Sequence, residues 1–354
     1  MDFSLTEEQQ LFQTSVRAFV ANECPPQTTR AVFDRRRDAD DLWQGLVQLG
    51  VAGIVAPEEH GGAGLELLEA ALVAEELGRG AVPAPFLGHT LATLAIARGG
   101  TAAQRTAWLP RLASGAARAT VAFAEGDGRW LPDAWRATHG GGRVSGTKRH
   151  VPEAERADVF VVGCEGGTLA LVEPGSGVRV TAEASMDHGR PLATVAFDGA
   201  IAEPLAGDAT QLVDAGCVLL AADAFGAAHH LVRATAEYAK TRQQFGQPIA
   251  QFQAVKHQLA NMALDVDPGR GLWWYAAHAF DHAPEDASRA AALAKAHITD
   301  RAQDVVRSAV EAHGGIGFTW ECDVQIWFKR VMFDRLWLGA PDVHRERYAA
   351  LEGW

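Results

Sequence analysis

The stretch Tyr238-Ala-Lys-Thr-Arg242-Gln-Gln-Phe245-Gly246-Gln-Pro248-Ile-Ala-Gln-Phe252-Gln253-Ala-Val-Lys256-His257 decides the reading of this chain. Apolar periodicity predicts one long helix before it, from Val213 to Lys240, and a second after it, from Phe252 to Val266. Gly246 and Pro248 force a turn between the two. The turn presents an arginine, a phenylalanine and a glutamine. A guanidinium, an aromatic face and an amide at the corner of a helical hairpin suit a diphosphate joined to flat rings. An ordinary surface loop fits the same spacing, and on spacing alone both readings stay open.

The chain has 354 residues, 48% of them hydrophobic and 21% charged, enough for a substantial core and for two or three domains. A formal net charge of −12 disfavours nucleic acid or an anionic membrane as partner, and the short basic run Arg35-Arg-Arg37 is flanked by aspartates. The cysteines Cys24, Cys164, Cys217 and Cys322 are far apart, match no metal spacing and suit a reducing cytoplasm. No signal peptide is visible, and no apolar run has the length of a membrane span. The expectation is a cytoplasmic protein. His229 and His230 are adjacent on a helix and face different ways, which argues against a metal pair.

Three regions follow from the pattern. Residues 1–117 are predicted helical: a helix capped by Thr6 with Gln9, stopped by Cys24-Pro-Pro; a second over Leu42 to Leu49; then Leu65 to Gly78, Leu87 to Arg98 and Thr101 to Ser114. Residues 118–205 hold short segments bounded by Gly, Pro and Asp, namely 119–124, 135–138, 143–147, 159–162, 169–172, 178–180 and 194–197, expected to form a small antiparallel β-barrel or sandwich. Residues 206–354 return to helical periodicity as a C-terminal bundle, with Asp267-Pro-Gly269 predicted to break a helix.

Arg242-x-x-Phe-Gly followed by Phe252-Gln-Ala-Val-Lys-His resembles the FAD-contacting signature of the acyl-CoA dehydrogenase superfamily, whose order is helical domain, β-domain, four-helix bundle. The loop Pro57-Glu-Glu-His-Gly-Gly, the hairpin Ser145-Gly-Thr-Lys148 and the run Gly314-Gly-Ile-Gly317 resemble other family segments, so the resemblance spans the chain. It implies FAD and acyl-CoA as ligands and an electron-transfer flavoprotein as the usual acceptor. Cofactor contacts implied here are Arg242, Phe245, Phe252, Gln253, Glu311, Gly314, Gly315 and Gly317. Glu311 stands where the family normally has glutamine, and a carboxylate suits a ribose hydroxyl better than a phosphate.

Chemistry in this family needs a carboxylate base beside the substrate α-carbon. The usual glutamate position holds Leu338, and the alternative position, on the long helix, holds Gly216. Asp223 lies on the same helix face about 10 Å further along, a weak candidate for a relocated base and more readily a polar or interface residue. The family's threonine-glutamate-proline loop reads Ala124-Glu125-Gly126, and its tryptophan-isoleucine-threonine strand end reads His150-Val151-Pro152. Its aspartate-x-x-arginine contact to CoA keeps Asp214 and has Cys217 in place of the cation. Trp273, Trp274 and Tyr275 suit a core or interface better than a substrate cleft.

In family tetramers the degraded β-domain segments hold a subunit's own flavin, whereas the retained turn and glycine loop reach the neighbour's. The pattern resembles the base-less subunit of heterotetrameric α2β2 actinobacterial acyl-CoA dehydrogenases, many of which act on steroid side-chain thioesters. Three expectations stand: a non-catalytic subunit paired with a paralogous chain; a homomeric dehydrogenase with a relocated base; or a non-enzymatic CoA-ligand binder or scaffold.

Overall fold

The structure is a computed structural model and describes residues 4–354, with only the backbone of Asp127. A helical domain comes first: α1 (Glu7–Glu23), α2 (Pro26–Phe33), α3 (Asp40–Gln48), α4 (Leu67–Arg79), α5 (Phe86–Gly99) and α6 (Ala102–Ala113). Thr6 and Gln9 form the expected reciprocal capping box. Helix α2 was missed, because Pro25-Pro26 ends α1 and also starts α2: a proline at the first helical position gives up an N–H that has no intrahelical partner anyway.

The middle domain holds β1 (Ala119–Ala122), β2 (Thr138–Gly140), β3 (Arg143–Pro152), β4 (Val159–Cys164), β5 (Thr168–Val172), β6 (Val178–Glu183), β7 (Leu192–Ile201) and β8 (Glu203–Leu205). They make two four-stranded sheets, ordered β1-β4-β5-β8 and β2-β3-β7-β6. The expectation of a wholly antiparallel domain is corrected: β1 runs parallel to β4, Ala119 opposite Val159 through Ala122 opposite Val162. Strand period marks which face is buried and says nothing of partner direction. Residues 135–137, expected as strand, lie before β2; Trp135 is buried against Phe123, with ring centroids 5.1 Å apart.

The C-terminal bundle is built on α7 (Ala209–Thr241), followed by the turn with its two-residue strands β9 (Gln243–Gln244) and β10 (Gln247–Pro248), then α8 (Gln253–Val266), α9 (Gly269–His282), α10 (Pro284–His313), α11 (Val324–Leu336) and α12 (Pro341–Leu351). The break at Asp267-Pro268 separates α8 from α9 as expected. Every residue of α7 from Leu212 to Ala228 is buried. Helix α7 is 33 residues long and apolar enough to cross a membrane, yet 83% of its apolar window is buried inside the protein, so its apolarity serves the core. Two glycines bring α4 and α7 together backbone to backbone. A Cβ on Gly78 would lie 2.0 Å from the Asp223 carbonyl oxygen, and one on Gly226 would lie 1.9 Å from that of Glu75. The helix that ends in the turn is thereby fixed in the middle of the molecule.

Candidate functional site

The turn after α7 projects from the bundle. Ile249 N–H donates to the Arg242 carbonyl at 2.8 Å and closes it. Phe245 has φ +53° and Gly246 φ +78°, a left-handed pair that points the Phe245 ring outward, 92% exposed. Phe252 meets it edge-on at 6.0 Å. Arg242 and Gln253 are exposed, and Arg242 forms no side-chain ion pair among the described residues. An exposed guanidinium beside an exposed aromatic ring can meet an anion joined to a flat ring.

The glycine loop lies at the same end. Tyr238, near the end of α7, stacks on His313, the last residue of α10, at 4.2 Å and 21°. Gly314 has φ +67° and ψ −148°, a conformation open only to glycine. Cβ atoms on Gly314 or Gly315 would meet nothing within 4 Å, so this backbone is open to a ligand; one on Gly317 would lie 2.3 Å from the Val310 carbonyl oxygen, so that glycine serves the fold. Glu311 is exposed one turn back, and Phe318 beyond is 78% exposed. The structure thus brings Arg242, Phe245, Phe252, Gln253, Glu311, Gly314 and Gly315 to one outward-facing end of the bundle.

Sequence reasoning missed how the far half of this loop is held. Arg30, on α2, donates to Asp323 Oδ1 at 2.8 and 2.6 Å and to the Trp320 carbonyl, while Trp320 Nε1–H donates to Asp34 Oδ1 at 2.9 Å. Lys329 sits over the Trp320 ring at 4.2 Å. The loop is anchored by the N-terminal domain, through a helix whose start looked like a stop.

The chain's own cleft is different in kind. Leu338 is wholly buried with φ +63°. A Cβ on Gly216 would sit 2.4 Å from Leu338 Cδ1 and 3.4 Å from Leu91 Cδ1. The two positions that lack a glutamate therefore face each other, and leucine side chain fills the space between them. The segment carrying Leu338 is held on all sides. His344 Nε2 is hydrogen-bonded to the Leu338 carbonyl at 2.9 Å, so that nitrogen carries the proton. Lys295 donates to the Asp334 carbonyl and, at 3.1 Å, to that of Arg335; burial lowers its ammonium to about 8. Trp337 Nε1–H donates to the His150 carbonyl at 2.9 Å. Trp130 stacks on His150 at 5.8 Å and meets Trp337 edge-on at 6.2 Å. Three aromatic rings pack where the strand end and the residue-338 segment meet.

Glu125, retained from the β-domain loop, points inward. It accepts from Lys148 Nζ at 2.6 Å, from Ala137 N–H at 2.8 Å and from Arg136 N–H at 2.9 Å. Burial would raise its carboxyl, but these bonds outweigh burial and lower it. It therefore secures the buried Lys148 of the hairpin.

The candidate base Asp223 is corrected by its surroundings. It is buried, with Arg330 Nε on Oδ1 at 2.9 Å, Arg330 NH2 on Oδ2 at 2.8 Å and Arg190 NH2 on Oδ2 at 2.6 Å. Burial pushes its carboxyl up, but the Arg190 and Arg330 charges override burial and hold it below the ordinary carboxylate range. Arg190 also pairs with Asp334, whose carboxyl is pushed well up by burial and by the Asp223 charge beside it. Both oxygens of Asp223 accept from guanidinium groups that tie the β-domain and α11 to α7, so the carboxylate is buried and engaged in holding the fold. Asp214 is likewise inward: Arg347 of α12 pairs with it at 2.6 Å and Ser288 donates at 2.6 Å. The cation missing at Cys217 is supplied in space by a helix 130 residues later, as a buried lock. His229 packs on Phe225 and His230 on Trp327, two different ring partners, and Trp273 is buried against Phe225.

Comparison with known proteins agrees with this architecture. Residues 6–116 match the acyl-CoA dehydrogenase N-terminal domain and residues 207–351 the acyl-CoA dehydrogenase C-terminal domain. The chain is 35% identical over 350 residues to acyl-CoA dehydrogenase IpdE2 of Mycolicibacterium smegmatis, covering 98% of this chain and 99% of that one. It superposes with a TM-score of 0.90 on a chain of the ChsE4-ChsE5 complex of Mycobacterium tuberculosis, at 30% identity over 100% of this chain and 99% of that one. A chain of the Tcur3481-Tcur3483 steroid ACAD, in a variant form, gives the same TM-score of 0.90 at 31% identity, covering 98% of each.

Proposed function

The chain belongs to the acyl-CoA dehydrogenase family, and on that premise we propose that it is the non-catalytic subunit of a heteromeric FAD-dependent dehydrogenase of acyl-CoA thioesters. Its turn and glycine loop complete the flavin site of a paralogous partner subunit, and the reaction runs in the partner's cleft. The observation that carries this reading is Leu338 packed against Gly216, with no carboxylate at either place. Heteromeric relatives such as the ChsE4-ChsE5 complex support the assembly, and the steroid ACAD supports a bulky acyl group as substrate.

The residues present fit FAD on one surface and not on the other. Outward, the unpaired Arg242 would meet the diphosphate, Phe245 and Phe252 a flat ring, and the open backbone of Gly314-Gly315 would approach a phosphate or ribose. Glu311 would accept from a ribose hydroxyl. When bound, FAD accepts the hydride of α,β-desaturation. This chain's part is to hold the cofactor in place and keep water from its edge. Inward, the packing of Trp130, His150 and Trp337, and Pro152 without an N–H, do not fit an isoalloxazine ring. Electrons would leave the complex to an electron-transfer flavoprotein.

The test is co-expression with a paralogous subunit that keeps the glutamate base. Arg242→Ala in this chain removes a charge-assisted bond, so the complex should lose FAD affinity by roughly tenfold to a hundredfold, read by flavin absorbance after dialysis. Unchanged flavin content would refute binding in trans.

A further inference from the structure

The helix that anchors the glycine loop is itself tied to the β-domain. Beyond α2, Arg156 donates to Asp38 through both terminal nitrogens, with Nη1 on Oδ1 at 3.1 Å, and to Asp40 Oδ1 at 2.6 Å. Arg118, just before β1, donates to the same Asp40 oxygen at 2.7 Å. Asp38 precedes α3 and Asp40 opens it, so two β-domain arginines dock the α2–α3 loop. At the end of α2, His188 Nδ1–H donates to the Phe33 carbonyl at 2.7 Å, and the His188 ring stacks on Phe33 at 4.8 Å. This loop, the link Pro83-Ala84-Pro85 and the β-domain line a cavity of about 490 Å³.

One carboxyl on that cavity is uncompensated. Glu153, directly after β3, lines it and forms no side-chain hydrogen bond or ion pair among the described residues. Burial pushes its carboxyl up from 4.5 to about 7; Arg156 and Arg118 pull it down, and Asp40 and Asp38 add to the push. The backbone fixes it there. Glu153 has φ +53°, a left-handed conformation strained for a residue other than glycine, and its N–H donates to the Pro191 carbonyl at 2.9 Å. The remaining charges on the walls are engaged elsewhere or turned to solvent. Arg36 pairs with Asp34 at 2.8 Å and Arg37 with Asp41, while Arg35 and Glu155 are exposed. Arg156 and Arg118 are therefore the cations that an ionised Glu153 can recruit.

We propose that Glu153, Arg156 and Arg118 form a proton-controlled latch: with Glu153 neutral the two arginines stay on Asp38 and Asp40 and the α2–α3 loop is docked, whereas ionised Glu153 draws Arg156 to itself and the loop is released. Arg156, Asp38 and Asp40 are each about half exposed, and such pairs contribute little singly, so one proton is enough to shift the exchange. The effect reaches the glycine loop through α2. Trp320 Nε1–H is held by Asp34, four residues before Asp38, and Asp323 by Arg30. Release of the α2–α3 loop thus loosens the far half of the glycine loop. In the heteromer this sets how firmly that loop grips the partner's flavin, a consequence that rests on the reading above; the latch itself does not.

The docked state holds the raised carboxyl and so binds the extra proton. Its opening constant rises with pH between 4.5 and about 7 and is level above that. The test is hydrogen-exchange mass spectrometry of the full chain at pH 5 and pH 7, with rates corrected for intrinsic exchange. Opening over residues 34–40 should rise roughly tenfold from pH 5 to pH 7, with a parallel rise over 314–320. Glu153→Gln, and Glu153→Asn, which suits left-handed backbone, should each abolish the rise and stay docked. Arg156→Gln should be open at both pH values. His188→Asn, which removes the imidazole, should keep the rise. No rise in the parent, the same rise in both Glu153 variants, or its loss in His188→Asn would overturn the latch, and a rise over 34–40 alone would overturn its link to the glycine loop. The two readings fail differently. FAD co-purifying with the lone chain defeats the subunit reading and leaves the exchange result standing, whereas a flat pH response defeats only the latch.

Discussion

Replacing Asp223 with asparagine separates its two possible roles. The side chain is isosteric, so the packing volume is kept while the charge and one acceptor oxygen are lost. Three guanidinium hydrogen bonds converge on the carboxylate, from Arg330 at 2.9 and 2.8 Å and from Arg190 at 2.6 Å. After the change Arg330, 2% exposed, keeps the Val82 carbonyl at 3.2 Å and a distant Asp187 at 3.9 Å. Breaking a buried pair from one side costs about 3–5 kcal/mol. For a chain of 354 residues that is a fall in melting temperature of roughly 4–7 °C, to be read by differential scanning fluorimetry. The pH sense follows from the direction of the shift. The folded carboxyl lies below its unfolded value, so its contribution is present above the ordinary carboxylate range and lost as pH falls through the folded value. Asp223→Asn should therefore flatten the acid limb of stability. Asp334 is pushed the other way and is closer to neutral in the fold, so Asp334→Asn should cost under about 1.5 kcal/mol. An Asp223→Asn protein as stable as the parent, with turnover of its complex lost, would refute the structural role and restore the relocated base.

Other outcomes are equally definite. Leu338→Glu alone should give no dehydrogenase activity in the isolated chain, assayed with a ferrocenium acceptor, because the aromatic packing of Trp130, His150 and Trp337 is left unchanged; flavin-dependent turnover would contradict this. Gly317→Ala should disorder the glycine loop, since its Cβ would fall 2.3 Å from the Val310 carbonyl oxygen, and hydrogen exchange over residues 314–320 should rise. His89 uses both ring nitrogens in the neutral form, with Nε2 at 3.2 Å from the Ala52 carbonyl and Nδ1 accepting from Ala119 N–H at 3.4 Å, and burial lowers it from 6.5 to about 4. The unfolded chain binds the extra proton between those values, so stability should fall by about 3 kcal/mol as pH drops through them, and His89→Gln should remove that slope in urea titrations.

What the sequence disclosed is what local chemistry determines. The capping box at Thr6, the break at Pro268 and the turn at Gly246 were each legible because a few adjacent residues dictate the backbone. The residues around Arg242 and Gly314, which the family resemblance singled out, lie at one outward-facing end of the bundle. The parallel pairing of β1 with β4 was not legible, because partner direction depends on segments 40 residues apart. Contacts across the chain were also hidden. Arg347 reaches Asp214 from α12, and Arg30 holds the loop around Trp320 across some 290 residues. Leu338 and Gly216 were each read as an absent base; only the fold shows that one fills the space left by the other.

The most direct test of the account is the flavin content and native mass of this chain purified alone and with its co-expressed paralogue. The account predicts a colourless lone chain, and a heteromer whose FAD equals the number of partner subunits and whose turnover is abolished by removing the partner's glutamate. A yellow lone chain with one FAD per protomer that oxidises an acyl-CoA would contradict it.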